Sequence, residues 1–410
     1  MNKHLFFTGA AASALVVGLA GSALAANGPM AFEPIPASAY DAQTDSWDVP
    51  LVAPDGFTQE LVSDETVLDI YGGGIDDLTD MNVQNETGPR AGRYLIRTHE
   101  VGSNGAVSVV DLKTGHTEVV AQDASFRRLD GIDWTPWGTV LFAEETKGGR
   151  LFEGYFDAKD PFAEMQWVAR PEVGTIRHEG IGATNQAVFV IDEYNGGSIF
   201  KFEPTERGDL SDGQLYALKL TGLTDAEQTW NSATYQQKVG AFEWVALDME
   251  QVVVDTDAAA DAVHATEFGR PEDVEVIGKK LYVANTSEDR VVEIDLEKQV
   301  LSSFVHAGDN VPVEDKGAGV TGFNGPDNLA KGPDGRLWIV EDNKPSDIWV
   351  AGLDNDEDGQ ADTVELFASV KDSGAEVSGI YFGQDPKTLF FNVQHPSKPL
   401  ADGTWKVSRR

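Results

Sequence analysis

The strongest constraint on the fold is a hairpin pattern that recurs along the chain. Clear copies are "RLDGIDWTPWGTVLFAEET" at 128, "RHEGIGATNQAVFVIDEYNGG" at 177, "RPEDVEVIGKKLYVANTSEDR" at 270, "GPDNLAKGPDGRLWIVEDN" at 325 and "EVSGIYFGQDPKTLFFNVQHP" at 376. A degenerate copy, "GGGIDDLTDMNVQNETGPRAGRYLIRTHE", starts at 72. Each copy has an acidic or small polar start, a short strand, a turn and a second apolar strand. Self-similarity at roughly 50 residues in a strand-rich chain is typical of propeller blades.

These copies predict an all-β, six-bladed β-propeller over residues 45–410. The gap between the copies at 177 and 270 is too long for one blade. It predicts a partly helical insertion around 205–265, where the strand pattern weakens. Residues 26–44 are interpreted as an N-terminal extension.

The repeat also predicts where acidic side chains gather. In a hairpin, the start of the first strand and the end of the second lie at one end of the blade. If the first strands line the central channel, these ends meet at one channel mouth. The predicted mouth acids at strand starts are Asp130, Glu179, Glu272 and Asp327, those at strand ends are Glu144, Glu145, Asp192, Glu193, Glu341 and Asp342, and the degenerate copy adds Asp76, Asp77 and Glu100. Two imidazoles, those of His99 and His395, are predicted at the same mouth.

So many carboxylates repel one another unless cations bind between them. The formal net charge of −37 has two interpretations that do not exclude each other: a surface adapted to a salty habitat, and bound divalent metals. Oxygen ligands favour Ca²⁺, and we expect several such ions at the mouth. The alternative is that some of these acids cap strands and hydrogen-bond to neighbouring blades.

A separate acidic stretch, "LDNDEDGQADTVE" at 353–365, follows the spacing of a calcium-binding loop. The predicted ligands of this loop are Asp354, Asp356, Asp358, the backbone carbonyl of Gln360, Asp362 and Glu365. Gly359 occupies the sixth position, where the chain turns sharply. Because both flanks resemble strands rather than helices, we expect a structural calcium site and not a sensor.

The N-terminus predicts an exported protein. Residues 1–25 combine a charged start, an apolar run and "ALA" before Ala26, as in a secretory signal peptide. We therefore expect a periplasmic or extracellular location, without a membrane span. The strongly negative charge argues against a nucleic-acid partner, and the absence of cysteine excludes a thiol nucleophile. No pattern indicates an oligomeric state.

Five segments together resemble the PhoX-type alkaline phosphatases. They are "TPWGTVLFAEE", "RHEG", "RPEDVEV", "GPDNLAKGPDGRLWIVED" and "NVQHP", and the resemblance spans about residues 45 to 405. It implies a phosphatase that hydrolyses small phosphate monoesters at a mixed calcium and iron cluster in the channel mouth. It implies a catalytic role for Glu272 and an arginine, Arg270, that holds the phosphate; the alternative for Arg270 is a salt bridge.

The resemblance also implies that Glu144, Glu145, Glu179, Glu272, Asp327 and Glu341 lie around the metal cluster. Asp130 stands where the family typically has a cysteine that ligates iron. A carboxylate there can bind calcium or iron, but without the thiolate the presence of Fe³⁺ is doubtful. Two other functions stay open: a calcium-dependent propeller lactonase or phosphotriesterase, and a non-catalytic, calcium-stabilised binding propeller.

Overall fold

The computed structural model describes residues 28–38, 47–232, 238–314, 322–372 and 374–410. The predicted signal peptide lies outside these residues, and 28–38 is the described part of the predicted N-terminal extension. This part packs on the body of the protein, where the ring of Phe32 lies 5.1 Å from that of Phe367. None of the helices in these ranges is long and apolar enough to cross a membrane.

Four sheets of four or five strands stand separately. The first contains β3 (Thr79–Gln84), β4 (Tyr94–His99), β5 (Ala106–Asp111) and β6 (Thr117–Gln122). The second contains β7 (Leu129–Trp134), β8 (Val140–Glu144), β9 (Gly149–Tyr155), β10 (Gln166–Ala169) and the short β11 (Thr175–Ile176). The third contains β23 (Pro326–Lys331), β24 (Leu337–Glu341), β25 (Asp347–Ala351), β26 (Val364–Val370) and β1 (Leu51–Val52). The fourth contains β27 (Glu376–Phe382), β28 (Thr388–Gln394), β29 (Gly403–Arg409) and β2 (Phe57–Asp64).

A larger sheet combines the copies that begin at 177 and 270. Its nine strands, in spatial order, are β12 (His178–Ala183), β13 (Val188–Asp192), β15 (Ile199–Pro204), β16 (Gly213–Leu220), β17 (Gly240–Ala246), β22 (Val300–His306), β21 (Arg290–Asp295), β20 (Lys280–Asn285) and β19 (Pro271–Ile277). A two-stranded sheet pairs β14 (Asn195–Gly197) with β18 (Phe268–Gly269).

The protein is therefore nearly all-β and propeller-like, but with four separate blades where the sequence predicts six. The physical reason is the inserted segment. Its strand β17 pairs with β16 on one side, and Gly240 and Ala241 pair with Leu301 and Val300 of β22 on the other. Two repeats thereby join into one continuous sheet.

The predicted insertion is indeed partly helical. Its described residues form three short α-helices: α1 (Asp225–Gln228), α2 (Met249–Val252) and α3 (Thr256–Ala262). Asp248 and Asp255 begin α2 and α3 and accept hydrogen bonds from backbone N–H groups of the first turns. The same segment also supplies β16 and β17, which the sequence pattern did not indicate.

The first strands of the repeats form a closed ring. They contact one another in the order β3, β7, β12, β19, β23 and β27, and β27 contacts β3. Carboxylates connect neighbouring first strands by hydrogen bonds. Asp133 accepts a hydrogen bond from the N–H of Ala183 (2.6 Å), and Asp273 accepts one from the N–H of Leu329 (2.8 Å). Strand β2 pairs with β29, the last strand, so this sheet joins two segments that are far apart in the chain.

The hydrophobic core lies between neighbouring sheets. The Trp338 ring of β24 packs edge-on against Phe367 (4.7 Å between centroids) and against Phe382 of the next sheet (5.0 Å). Phe126, Phe142 and Phe152 form a similar group around the second sheet. Because the apolar residues pack between sheets, the rigid ring of first strands can hold polar groups at its end.

Candidate metal centre

A β-bulge lies near the start of each first strand of the ring. In β7, Leu129 pairs with Glu144 and Ile132 with Phe142, so Asp130 and Gly131 together face a single residue of β8. A bulge re-aims a side chain and bends the strand. The bulges of five strands carry an acid at the same place, namely Asp80, Asp130, Glu179, Glu272 and Asp327. In β27 the corresponding residue is Gly379.

Four further acids directly follow second strands, namely Glu100, Glu145, Glu193 and Asp342. We call these four and the five bulge acids together the acidic mouth. Three groups have ligand atoms within 4.8 Å of one another: Asp80, Glu100 and Asp130; Glu145, Glu179 and Glu193; and Glu179, Glu272 and Asp327. Glu179 belongs to two of them. The structure thus brings together five of the seven predicted metal ligands: Asp130, Glu145, Glu179, Glu272 and Asp327.

Burial and mutual repulsion raise the pKa values of the acidic mouth. The pKa values of Asp130, Glu179 and Asp327 lie well above the usual carboxyl range, first because the groups are buried and then because neighbouring carboxylates face them. The same causes raise the pKa of Glu193 to about 8 and that of Glu100 to about 9. Without cations, the mouth therefore holds protons at neutral pH.

Several oxygen atoms of the mouth have no hydrogen-bond partner among the described residues. They are Asp130 Oδ1 and both carboxylate oxygens of Glu272. Arg270 Nη2 lies 3.0 Å from Glu272 Oε1, but the geometry is not that of a hydrogen bond, so the contact is electrostatic only. A buried carboxylate oxygen without a donor is costly. Oxygens of this kind, aimed into a cluster of acids, fit a bound hard cation.

Arg270 lies among three carboxylates of the mouth. Its Nε is 2.5 Å from Glu193 Oε1, its Nη2 is 3.0 Å from Glu272 Oε1, and its Nη1 is 3.4 Å from Asp342 Oδ2. The backbone φ is +48°, in the left-handed region. The salt-bridge alternative is therefore present in the structure, at the place where a phosphate-binding arginine was expected.

Glu144 and Glu341 point away from the three groups. Glu144 accepts from the N–H of Arg127 (3.0 Å) and from Nη2 of Arg150 (2.6 Å). Glu341 accepts from the N–H of Asn324 and from Trp349 Nε1, both at 2.8 Å. Both carboxylates tie a loop to the end of the second strand, which is the capping alternative raised from the sequence. Their role as metal ligands remains a prediction.

The sequence reasoning missed Asp80 and Glu376. It placed Asp76 and Asp77 of the degenerate copy at the mouth, but Asp77 accepts hydrogen bonds from the backbone of Ile70. Aligning "TDMNV" with "LDGID" would have identified Asp80. The pKa of Glu376 is raised to about 8 by burial and by nearby mouth acids. No acid stands at the aligned position of its repeat, so alignment could not find it.

The predicted calcium loop connects β25 to β26, within one sheet. Asp354, Asp356 and Asp362 offer oxygen atoms within 4.8 Å of one another. Asp354 already accepts from the N–H groups of Asp358 (3.1 Å) and Gly359 (3.0 Å). These three acids come together as expected, while the remaining predicted ligands are placed differently.

Two of those remaining ligands serve other contacts. Asp358 accepts a hydrogen bond from the N–H of Gln360 (2.9 Å). Glu365 lies in β26 opposite Val350, with its Oε2 3.8 Å from Nη1 of Arg336. The loop also touches the nine-stranded sheet, since the N–H of Ala361 donates to the carbonyl of Phe304 (2.9 Å). The loop thus connects two sheets sideways, away from the mouth.

Comparison with known proteins supports one family. Residues 151–397 match the family described as alkaline phosphatase PhoX. No curated protein matches the chain.

Solved structures with a similar shape include a gluconolactonase from Xanthomonas campestris (13% identity, 92% of this chain and 99% of that chain, TM-score 0.44). A luciferin-regenerating enzyme (13% identity, 81% and 91%, TM-score 0.45) is also similar. So is a PQQ-bound aldose sugar dehydrogenase from Streptomyces coelicolor (12% identity, 87% and 99%, TM-score 0.42). At these scores, the likenesses carry no argument about function.

Proposed function

Because the chain belongs to the alkaline phosphatase PhoX family, we propose that it hydrolyses small phosphate monoesters at a metal cluster in the acidic mouth. The observation that carries this proposal is the pair of ligand groups that share Glu179, beside the two Glu272 oxygens that accept no hydrogen bond from the described residues. We also propose that the nine-stranded sheet represents two blades, because the first strands follow one another in a closed ring of six.

The donor set of the mouth fits hard cations. All ligand atoms of the three groups are carboxylate oxygens, which suits several Ca²⁺ ions and also accommodates Fe³⁺. Asp130, Glu145, Glu179, Glu272 and Asp327 would hold them, together with Asp80, Glu100 and Glu193. When bound, such ions neutralise the phosphoryl group and lower the pKa of a coordinated water.

The protein residues bind and orient the phosphate. Arg270 presents a planar guanidinium, which can bind two phosphate oxygens at once. Glu193 and Glu272 hold this guanidinium in place from two sides. In phosphoryl transfer, positioning and charge neutralisation supply most of the catalysis. Glu272 therefore has two roles: it would bind a cation, and it positions the guanidinium of Arg270.

We further propose that residues 1–25 direct export to the periplasm or beyond, where the substrate is a small phosphate ester. The two other functions raised from the sequence remain alternatives: a calcium-dependent lactonase or phosphotriesterase, and a non-catalytic calcium-binding propeller. A lactonase of this kind would use a single Ca²⁺, which takes about six to eight oxygen ligands. The three acidic groups favour the phosphatase, because they offer places for more than one ion.

The test compares hydrolysis of an aryl phosphate, a lactone and a phosphotriester, with and without a chelator. Wild-type protein is expected to hydrolyse the monoester, and a chelator is expected to abolish turnover. Glu179→Gln removes the carboxylate that two groups share, so activity should fall about 10- to 100-fold and the protein should bind less metal. The control is Glu118→Gln, an exposed acid on β6. Metal-loaded protein that hydrolyses none of the three substrates would falsify the enzyme proposal.

A further inference from the structure

Three repeats carry an arginine at the same place, two residues before the bulge acid. They are Arg128, Arg177 and Arg270, which precede Asp130, Glu179 and Glu272. Arg270 is the residue expected to hold the phosphate. The sequence contains no indication that Arg128 or Arg177 binds phosphate, but their contacts in the structure distinguish them.

Arg128 and Arg270 share one backbone arrangement. Their φ angles are +45° and +48°, a region that non-glycine residues rarely adopt. The N–H of Arg128 donates to the carbonyl of Val101 (2.8 Å) and that of Arg270 to Tyr194 (3.2 Å), in each case just past the second strand of the preceding repeat. Both arginines are therefore presented to the mouth in the same way.

Arg177 differs from them. Its N–H donates to Asp192 Oδ1 (2.9 Å), and its guanidinium lies over the Tyr194 ring, 5.0 Å from the centroid. Its φ is not positive. Arg177 thus shares the repeat position but not the presentation, which makes it a natural control.

The side-chain contacts of Arg128 and Arg270 also correspond. Arg128 Nη1 lies 3.1 Å from Glu100 Oε1 of the preceding repeat and 2.7 Å from Glu145 Oε2 of its own. Arg270 likewise contacts Glu193 of the preceding repeat. Glu145 and Glu193 belong to the same ligand group, with Glu179 as its third member. In the ring, β12 lies between β7 and β19, so Arg128 before β7 and Arg270 before β19 contact this group from the two repeats next to that of Glu179.

The two arginines differ in which donors are free. Arg270 directs Nε, Nη1 and Nη2 at three carboxylates. Arg128 uses only Nη1, and its Nε and Nη2 make no hydrogen bond to the described residues. The Arg128 side chain is 51% exposed, while its partners Glu100 and Glu145 are 18% and 14% exposed. The edge of the Arg128 guanidinium that carries Nε and Nη2 is thus free of hydrogen bonds to the described residues.

We propose that Arg128 is a second phosphate-binding residue, which contacts phosphoryl oxygens at the Glu145–Glu179–Glu193 group from the repeat before that of Glu179, while Arg270 does so from the repeat after it. This rests on the proposed phosphatase function for its substrate class, but phosphate binding itself can be measured without turnover. A phosphate dianion entering this acidic mouth needs compensating positive charge. The free edge of Arg128 supplies two donors in the geometry that suits an oxyanion.

The experiment measures inorganic phosphate binding to the full-length, metal-loaded protein by calorimetry. Arg128→Gln is expected to weaken phosphate binding by about tenfold to a hundredfold, as for loss of a charge-assisted contact. Arg128→Lys, which keeps the charge but not the fork, should lie between. Arg177→Gln is the matched control and should bind phosphate like the wild type. Metal content and melting temperature are measured for each variant.

Several outcomes would overturn the inference. They are wild-type affinity in Arg128→Gln, an equal loss in Arg177→Gln, no phosphate binding by the wild type, or loss of metal in both Arg128 variants. The last would show that Arg128 only positions Glu100 and Glu145. If the wild type binds phosphate through Arg128 but hydrolyses no ester, the proposed function fails while the inference stands.

Discussion

The acidic mouth and the loop at 354–365 are built from the same residue types, yet the fold treats them differently. In the mouth, strands from different repeats place buried carboxylates against one another, and Glu272 keeps two oxygens without a hydrogen bond. In the loop, Asp354 bonds to the N–H groups of its own turn. Asp356 and Asp362 there are exposed.

The difference teaches how much of an acidic cluster depends on long-range structure. The loop can draw its acids together through local turns, because its ligands are close in sequence. The mouth cannot do so, because residues as distant in the chain as Glu179 and Asp327 meet only when the ring of strands closes. We therefore expect the mouth to respond strongly to changes in strand packing and the loop to respond mainly to calcium.

Among substitutions, the largest loss of stability and activity is expected from Gly131→Ala, which adds a methyl group within the β-bulge of β7. A Cβ atom at Gly131 would lie 1.8 Å from the carbonyl oxygen of Glu179 in the neighbouring strand. The strands must separate, which should cost about 3 kcal/mol of unfolding free energy and disorder the shared ligand Glu179. Urea unfolding and the aryl phosphate assay measure both consequences.

The control for this variant is Gly102→Ala, where a Cβ would meet nothing within 4 Å and φ is not positive. It should change stability by less than about 0.5 kcal/mol. If Gly131→Ala were as stable and as active as this control, the mouth would not depend on close strand packing, and the contrast with the loop would disappear.

A different effect, which needs no substitution, is expected from pH in chelated protein. Burial, followed by repulsion, raises the pKa values of Glu193 to about 8 and of Asp80 to about 7. The folded chain therefore holds protons that the unfolded chain has already released. Stability should be greatest below the ordinary carboxyl pKa and fall as pH rises from about 5 to 8, because the folded chain keeps protons that the unfolded chain loses over this range.

Saturating Ca²⁺ should flatten this pH dependence, because bound cations replace the protons. Melting temperature, measured across the pH range with chelator and with Ca²⁺, gives both slopes. Asp356→Asn, which changes only the loop, should leave the slope in chelator unaltered. A chelated protein that became more stable as pH rises would contradict the assignment of raised pKa values to the mouth.

The smallest effect is expected in the loop itself. Asp356→Asn removes one exposed oxygen charge from the predicted calcium site, while Asp354 and its backbone bonds remain. A tenfold weaker calcium affinity would reduce calcium-dependent stabilisation by about 1.4 kcal/mol. Phosphatase activity should not change. Calorimetric calcium titration of the variant and wild type checks this, and a loss of activity would show that the two regions are coupled.

Much of the fold was readable from the chain because the repeat is local. Each hairpin has its own strands and turn, so six copies could be recognised without any contact information. The number of separate sheets could not be predicted in this way. Strand β17 comes from a segment with no repeat pattern, and it joins two copies by pairing with Leu301 and Val300.

In the candidate site too, some features follow from the local repeat and others from long-range contacts. The sequence by itself determined which residues carry the negative charge and that Asp130, Glu179, Glu272 and Asp327 stand at equivalent positions, because a repeat preserves position. Only the tertiary structure decided their partners. The fold places Asp80 in the mouth, pairs Glu144 with Arg150 and leaves the Arg128 side chain half exposed. These contacts depend on β-bulges and on neighbours that are far away in the chain.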